Sequence, residues 1–212
     1  MRTRQRNSRL ANRSRTAPEG VLTRQSLLGA LKTKKLVISP ILDLAQVGEG
    51  SVDIRLGTRF IVNKRTQLAA IDPMQLTETE IRKFQEAVTV PFDSKFMLHP
   101  GSFLLGCTLE YIVLPEDISG FVLSRSGYGR AGLLIATATY VHPGWHGCLT
   151  LELENFGEVP ITLWPGSRIG QLVLMRADRV AAPKLKITPV GPRFGSLSED
   201  PKWKVIRSHQ AR

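Results

Sequence analysis

Short apolar segments separated by Pro and Gly fill the chain from Phe96 to Ala177. These segments are FMLHP, FLLGCTLEYIVL, FVLSRS, LLIATATYV, CLTLELEN, ITLW and IGQLVLMRA. Pro-Gly pairs at 100/101, 143/144 and 165/166 interrupt the region, and such pairs are typical of turns. Short strands separated by turns predict a mainly β domain, either a sandwich or a distorted barrel. The absence of a strand-helix-strand alternation argues against a Rossmann-like nucleotide fold.

Two segments have helical periodicity instead. The segment from Thr23 to Lys32 places three leucines on one helical face, and Thr23 is a possible cap. The segment from Thr77 to Ala87 has capping-box spacing between Thr77 and Glu80, although its apolar face is thin. We therefore predict a short helix that opens the domain and a second helix over 77–87.

The composition fits one domain with a sizeable core, since 42% of the 212 residues are hydrophobic and 22% are charged. No apolar run reaches the roughly 18 residues of a membrane span. The N-terminal arginines are not followed by the apolar stretch of a secretory signal, so we expect a cytoplasmic protein.

Cys107 and Cys148 lie in apolar strand-like segments, which favours small buried hydrophobes over a disulfide. Neither has CxxC spacing, which argues against a thiolate zinc site.

The positive charge is concentrated at the N-terminus. Residues 1–20 hold six arginines against Glu19, so they supply +5 of the formal charge of +11 and the remainder carries +6. A segment rich in Arg, Asn and Ser cannot bury enough apolar surface to fold alone. We predict a disordered tail over 1–20, with a nucleic-acid-binding arm as the alternative, and one domain over 21–212.

Acidic residues recur on one face of the predicted strand at 148–155. Leucines occupy positions 149, 151 and 153, whereas Thr150, Glu152 and Glu154 occupy the positions between them. Alternate residues of a strand share a face, so the two carboxylates point the same way. On its own this pattern is more typical of a solvated strand face than of a catalytic pair.

A glycine-rich segment, SRSGYGRAG at 124–132, contains two arginines five residues apart. Glycine lets backbone amides approach an anion, and Ser126 can donate a hydroxyl. Arg125 and Arg130 could each bind phosphate bidentately. Such a turn could hold a polyphosphate, but a solvated turn with surface arginines has the same pattern.

Four motifs follow one another in a fixed order: GSVDIRLG (50–57), LHPGSFLLGCTLEYIVLPEDISGFVLSRSGYGRAG (98–132), HPGWHGCLTLELEN (142–155) and PITLWPGSRIGQL (160–172). In this order and spacing, the chain resembles the dCTP deaminase family, and more distantly the trimeric dUTPases, over about 21–204. The resemblance implies a mainly β, distorted β-barrel or jelly-roll-like dUTPase-type fold. It also implies a homotrimer with active sites between subunits, and a triphosphate bound with Mg²⁺ rather than a metal held by protein ligands.

The resemblance further implies roles for individual residues. Glu152, in the LE pair after PGW, would be the general base and acid. Ser126 and a backbone carbonyl near Ala138 would position the attacking water, and Arg130 would support the charged site. The residues that would contact the substrate are Arg125, Gly127, Tyr128 and Gly129 at the phosphates, and Thr150, Leu151 and Gln171 at the nucleoside.

This assignment is chemically consistent with deamination without zinc. A carboxylate can take the proton as water attacks C4 of cytosine and then return it to the leaving amine. Zinc deaminases instead combine an HxE segment with PCxxC, and the sequence has neither. Glu154 is interpreted as a neighbouring structural or tuning charge rather than a second catalyst.

The chain departs from the family pattern in two places. His142 stands where the family usually has aspartate before PGW, which disfavours pyrophosphate release, although His142 could contact the ligand or only bond locally. A metal site at His142 and His146 is not expected. In the C-terminal segment, about 190–212, which closes over the substrate in the family, the corresponding residues are Phe194, Lys202, Trp203 and Ile206. Lost polar groups there would alter base recognition.

The expected function is hydrolytic deamination of dCTP to dUTP and ammonia in the supply of dUTP and dTTP, with a feedback nucleotide such as dUTP or dTTP. One alternative is a bifunctional enzyme that releases dUMP and pyrophosphate. The other is a non-catalytic nucleotide-binding or regulatory relative, which could use the arginine tail on nucleic acid.

Overall fold

The computed structural model of the protein describes residues 20–72, 78–136 and 139–178. Its helices are α1 (Arg24–Lys32), α2 (Glu78–Phe84) and α3 (Ser126–Arg130), with a 3-10 turn at Leu44–Gln46. Its strands are β1 (Val37–Ser39), β2 (Val52–Arg55), β3 (Arg59–Asn63), β4 (Gln85–Thr89), β5 (Phe96–Leu98), β6 (Phe103–Cys107), β7 (Tyr111–Val113), β8 (Ile118–Ser124), β9 (Leu133–Ile135), β10 (Tyr140–Val141), β11 (His146–Gly147), β12 (Thr150–Asn155), β13 (Ile161–Leu163) and β14 (Arg168–Arg176).

The strands form antiparallel sheets, and the mainly β class predicted from the sequence is confirmed. The described residues give sheets in the orders β1-β7-β11, β10-β8-β14-β2, β4-β3-β6-β12-β9 and β13-β5. None of these sheets closes on itself, so the fold is a distorted set of open sheets rather than one continuous barrel. Leucine, isoleucine and valine side chains from all of them pack in one hydrophobic cluster.

Strand β12 lies inside the five-stranded sheet and has the two faces that its sequence predicts. It pairs with β6 on one side, with Glu152 opposite Leu105, and with β9 on the other, with Leu153 opposite Ile135. Leu151 and Leu153 are fully buried, whereas Thr150 is exposed. The alternation therefore turns leucines into the core and the acidic face outward.

Strand β2 is the edge of the four-stranded sheet and is buried throughout. Val52 and Ile54 join the core, while Asp53 and Arg55 point to the opposite face. The neighbouring strand β14 places Gln171 directly opposite Asp53. Because buried polar groups require partners, Asp53 and Arg55 must be satisfied by side chains from other segments.

The predicted helices are present with one change. Helix α1 begins after Thr23 and buries Leu27, although the Thr23 side chain makes no capping bond to the backbone. Helix α2 ends at Phe84 instead of Ala87, since Gln85 begins β4 and pairs with Asn63 of β3. Thr77, the predicted capping residue, lies outside the described residues.

The predicted turn at 124–132 is also different, because its centre is the short helix α3. The segment LLIATATYV contains two separate strands, β9 and β10, rather than one. Strands β1 to β4 precede Phe96, where the predicted strands begin, and β4 overlaps the end of the helix predicted over 77–87.

Cys107 is buried and Cys148 is half-buried, both as free thiols. Burial raises the pKa of the Cys107 thiol to about 11.

Within the described ranges, no helix is long and apolar enough to cross a membrane. Residues 1–19 of the predicted tail and the whole C-terminal segment 190–212 lie outside the described residues, so these domain boundaries remain predictions.

Candidate active site

A cavity of about 280 Å³ opens between strands β8, β10 and β12. Its lining residues are Val122, Tyr140, Val141, His142, Trp145, Leu149, Thr150 and Glu152. Most of the wall is apolar or aromatic, and its polar side chains include a carboxylate, a hydroxyl and an imidazole. A largely apolar cavity with a few convergent polar groups is typical of a small-molecule site.

Aromatic rings form one wall of this cavity. The Tyr140 ring packs edge-on against His142, with ring centroids 4.8 Å apart and planes at 84°, and it also contacts Phe121 at 5.3 Å. The Trp145 Nε1 donates a hydrogen bond to the carbonyl oxygen of Gly147 at 3.2 Å, which fixes the indole. Rings held in this way offer flat surfaces to a planar ligand.

Glu152 reaches the cavity because of the alternation along β12. Its neighbours in the strand, Leu151 and Leu153, are fixed in the core, so Glu152 must face the other side. The Glu152 side chain is half-buried, and its carbonyl oxygen accepts a hydrogen bond of 2.8 Å from the N–H of Ala136. This bond holds the chain that leads toward Ala138 against β12, while Ala138 itself lies outside the described residues.

The two arginines of the glycine-rich segment flank helix α3. Arg125 precedes the helix and Arg130 ends it, while Ser126, its first residue, is exposed. A Cβ added at Gly127 or Gly129 would meet no atom within 4 Å, so these glycines leave one side of the helix open.

Two other residues hold this segment in place. The Tyr128 side chain packs against the hydrophobic core. Gly132, which follows the helix, has φ +92°, and a Cβ there would lie 2.7 Å from the Gly157 nitrogen. The close approach of these two loops therefore requires glycine at position 132.

Asp53 connects this segment to strand β14. Its Oδ2 accepts a hydrogen bond of 2.6 Å from Arg125 Nη1 and one of 3.4 Å from Arg168 Nη1. Its Oδ1 accepts a bond of 3.3 Å from Gln171 Nε2. Arg168 also bridges to Asp43 through Nη2 at 3.3 Å. We call these five residues the Asp53 cluster.

A second polar group, the Glu110 cluster, consists of Gln46, Arg55 and Glu110 and adjoins the Asp53 cluster through a hydrogen bond from Gln46 Nε2 to the Asp53 carbonyl oxygen. Glu110 accepts hydrogen bonds from the Arg55 backbone N–H at 2.8 Å and from Gln46 Nε2 at 2.9 Å, and pairs with Arg55 Nη1 at 3.3 Å. Arg55 Nη1 also donates to Gln46 Oε1. Burial is the largest influence on Glu110 and raises the pKa of its carboxyl group, although Arg55 opposes it.

The structure separates the sequence-predicted site residues into two groups. His142, Thr150 and Glu152 line one cavity. Ser126 and Arg130 are not among the residues that line it, and Gln171 is connected to Arg125 through Asp53. The Leu151 side chain is buried in the core, which leaves only its backbone for a ligand. Phe194 and Lys202 lie outside the described residues.

Sequence reasoning missed Tyr140 and Trp145 in the cavity wall and the central position of Asp53. Trp145 lies in the HPGW motif and Asp53 lies in the GSVDIRLG motif, so both could have been found as polar or aromatic residues inside motifs already singled out. No group of three or more His, Cys, Asp or Glu residues is arranged to hold a metal ion within the described ranges.

Comparison with known proteins gives a consistent result. The family model described as dCTP deaminase-like matches residues 21–177. The curated "dCTP deaminase, dUMP-forming" of Rhodococcus opacus is 39% identical over 175 residues, which cover 82% of this chain and 90% of that protein. A protein of Halorubrum lacusprofundi named "dCTP deaminase" is 37% identical over 182 residues, which cover 85% of this chain and 86% of that protein.

A solved structure supports the fold. The crystal structure of 2′-deoxycytidine 5′-triphosphate deaminase from Agrobacterium tumefaciens aligns with a TM-score of 0.59 and 22% identity, covering 75% of this chain and 47% of that chain. At this identity the likeness shows the fold alone. From the family match over 21–177 and the identity to curated relatives, the chain belongs to the dCTP deaminase family of enzymes.

Proposed function

We propose that the protein hydrolyses dCTP in two steps, consuming two water molecules and yielding ammonia, pyrophosphate and dUMP. The observation that carries this proposal is the cavity in which the Glu152 carboxylate lies beside Thr150 and an aromatic wall. The name "dCTP deaminase, dUMP-forming" of the Rhodococcus opacus relative supports dUMP over the dUTP that the sequence led us to expect as the end product.

In the first step, Glu152 takes a proton from water as the water oxygen bonds to C4 of cytosine. The same carboxyl group then gives the proton to the exocyclic amine, the C4–N4 bond breaks, and ammonia leaves, while the remaining hydroxyl proton moves from the new C4 oxygen to N3 to give uracil. Half-burial of Glu152 between apolar neighbours limits competing water around the carboxylate. The Tyr140 and Trp145 rings would hold the base, and the Thr150 hydroxyl would hydrogen-bond to the nucleoside.

The triphosphate would be held by the segment around α3, through Arg125, the Ser126 hydroxyl and Arg130, with the open side of Gly127 and Gly129 facing the phosphates. Mg²⁺ would enter with the nucleotide as part of the substrate. Because Ser126 and Arg130 do not line the cavity of their own chain, we propose that they complete the cavity of a neighbouring subunit in a homotrimer.

The remaining predicted contacts follow from the family resemblance. The carbonyl oxygen of Ala138 would help to position the water, and Gln171 and the backbone of Leu151 would border the nucleoside. Phe194 and Lys202 would cover the bound nucleotide from the C-terminal segment.

In the second step, water attacks the α-phosphorus of dUTP, and pyrophosphate leaves as the bond to the bridging oxygen breaks. His142 lies in the cavity wall at the position where the family usually has aspartate. A neutral imidazole can accept a proton from water. Unlike a carboxylate, however, it brings no negative charge to a site next to Mg²⁺, and it should therefore promote the attack of water less well. We therefore expect the second step to limit turnover.

The direct test is to incubate the purified full chain with dCTP and Mg²⁺ and to separate the nucleotides by chromatography, with parallel assays for ammonia and pyrophosphate. After complete conversion, ammonia, pyrophosphate and dUMP in equal amounts support the proposal, with dUTP present only at intermediate times. Ammonia with dUTP alone would limit the activity to the first step. Unchanged dCTP would contradict the proposal.

Glu152→Gln is expected to lower the rate of ammonia release by roughly 10² to 10⁴-fold, since the amide keeps the shape but cannot accept a proton. Binding of dCTP, measured by calorimetry, should change little. Glu154→Gln is the matched control, because Glu154 lies on the same face of β12 but does not line the cavity. Equal losses in the two variants would remove Glu152 from its proposed role.

His142→Asp is expected to raise the ratio of dUMP to dUTP among the products, because a carboxylate at this wall of the cavity is a stronger partner for the second water. Chromatography of a time course measures the ratio directly. His146→Asp is the control, since His146 is exposed nearby but does not line the cavity. An unchanged or lower ratio in His142→Asp would show that position 142 does not limit pyrophosphate release.

A further inference from the structure

Asp53 occupies an unusual place for a carboxylate, since its side chain is only 11% exposed and lies where three segments meet. It projects from the edge strand β2, and its partners come from the end of β8 and from β14. The bond to Arg125, at 2.6 Å, is the shortest of the three. The carboxylate therefore joins the start of the α3 segment to the adjoining sheet.

The geometry leaves Arg125 able to bind a second anion. Its bond to Asp53 uses Nη1, whereas a guanidinium carries five N–H donors, and its side chain remains 37% exposed. Arg168 has Asp43 as a further carboxylate partner. The two carboxylates and two guanidinium groups balance in charge, so a phosphate that reaches Arg125 is not repelled by excess negative charge.

We propose that Asp53 is a positioning residue for the triphosphate. It fixes the Arg125 guanidinium beside Ser126 before the nucleotide arrives, and the Arg168–Asp43 pair braces Asp53 from the other side. Pre-orientation of this kind improves binding because less side-chain freedom is lost when the ligand binds. The proposal rests on the function above, in which Arg125 contacts the phosphates.

A purely structural role for Asp53 would give a different signature. Asp53 belongs to a sheet whose strands are already joined by backbone pairing, and β8 pairs with β14 along its length. Loss of the Asp53 charge removes two ion pairs, but the Arg125 and Arg168 side chains are 37% and 33% exposed and stay solvated, so stability should change modestly. If Asp53 acts through Arg125, its loss should change phosphate affinity, and it should do so only while Arg125 is present.

The test uses Asp53→Asn in the full chain, with steady-state kinetics on dCTP and calorimetry with dCTP and with deoxycytidine, which has no phosphate. We expect the KM for dCTP to rise roughly tenfold, as for loss of a charge-assisted hydrogen bond, with kcat little changed. Deoxycytidine affinity should be unaffected. Equal losses for dCTP and deoxycytidine would overturn the proposal.

Two variants serve as controls. Asp117→Asn removes the carboxylate of the Arg176 pair, which has a comparable length of 2.8 Å but lies outside the cluster, and it should leave the KM unchanged. Asp43→Asn should raise the KM less than Asp53→Asn, since Asp43 acts on Asp53 through Arg168 rather than by pairing with Arg125.

A double-mutant comparison isolates the coupling. In an Arg125→Gln background, Asp53→Asn should add little further loss of dCTP affinity, because the group that it positions is gone. Independent, multiplying losses would contradict a positioning role. If Asp53→Asn does not fold, Asp53→Glu can replace it, because it keeps the charge but displaces the carboxylate. Asp53→Glu should raise the KM for dCTP by less than Asp53→Asn and should also leave deoxycytidine affinity unchanged.

Inorganic triphosphate separates this proposal from the proposed function. If the wild-type chain binds inorganic triphosphate and Asp53→Asn binds it more weakly, the positioning role holds even where no dCTP is consumed, and only the proposed function fails. If the two bind inorganic triphosphate equally, the positioning role is wrong whatever the reaction catalysed.

Discussion

Asp53 and Arg55 stand two residues apart on the same face of β2, yet they belong to clusters with different exposure. In the Glu110 cluster, the side chains of Arg55 and Glu110 are 7% and 0% exposed. In the Asp53 cluster, the side chains of Arg125 and Asp53 are 37% and 11% exposed. The arginine–carboxylate pair of the Glu110 cluster is thus buried, whereas the pair of the Asp53 cluster has a partly exposed arginine.

The difference lies in what each cluster leaves unused. Glu110 has bonds from the Arg55 backbone, the Arg55 guanidinium and Gln46, all within the protein. Arg125 contacts Asp53 through Nη1, and its side chain remains 37% exposed. Gln46 also donates to the Asp53 carbonyl oxygen at 2.9 Å, so the Glu110 cluster supports the strand β2 that carries Asp53. We therefore expect the Glu110 cluster to serve stability and the Asp53 cluster to be available for binding.

Glu110→Ala should produce the largest change in stability of this comparison. Removing one partner of a buried pair leaves an uncompensated charge on Arg55, which typically costs about 3–5 kcal/mol. Urea denaturation at neutral pH measures the free energy of unfolding of the wild-type chain and the variant. Where the variant remains folded, the KM for dCTP should rise less than in Asp53→Asn.

The matched control is Asp117→Ala, which breaks the Arg176 pair at a site where the two side chains are 34% and 42% exposed. Exposed pairs contribute under about 1 kcal/mol, so this variant should be nearly as stable as the wild type. Similar losses in Glu110→Ala and Asp117→Ala would show that burial does not distinguish the clusters.

The faces of β12 could be predicted from the sequence because a strand alternates with period two whatever its partners are. The leucines at 149, 151 and 153 are buried, and Glu152 reaches the cavity, as the pattern requires. The boundary between α2 and β4 could not be predicted. Residues 85–87 follow the helix without a break in composition, and only their pairing with β3 makes them a strand.

The Asp53 cluster could not be predicted for a similar reason. Its members come from positions 43, 53, 125, 168 and 171, and they meet because β14 lies between β8 and β2 in the sheet. Hydrophobic periodicity specifies faces but not the order of strands. The family resemblance pointed to Arg125 and Gln171 separately, and Asp53 lies in a quoted motif, but the connection of Arg125 to Gln171 through Asp53 is evident only from the sheet.

The pH dependence of the free energy of unfolding is expected to be a smaller effect, and it tests the Glu110 cluster specifically. Burial raises the pKa of Glu110 in the folded protein above that of the unfolded chain. The folded state therefore binds the proton more tightly, and this contribution to stability is fully present below the unfolded pKa of about 4.3. It is lost as the pH rises through the folded pKa, at no more than about 1.4 kcal/mol per pH unit.

Glu110→Gln isolates this effect, because the amide keeps the size of the side chain and does not titrate. The free energy of unfolding of the wild type, relative to that of Glu110→Gln, should fall as the pH rises from about 4, and should level off above the folded pKa. Urea titrations at a series of pH values measure this difference. A difference that grows with pH would contradict this prediction. It would mean that Arg55 and Gln46 stabilise the Glu110 carboxylate by more than its burial costs, so that the Glu110–Arg55 ion pair makes a net favourable contribution to folding.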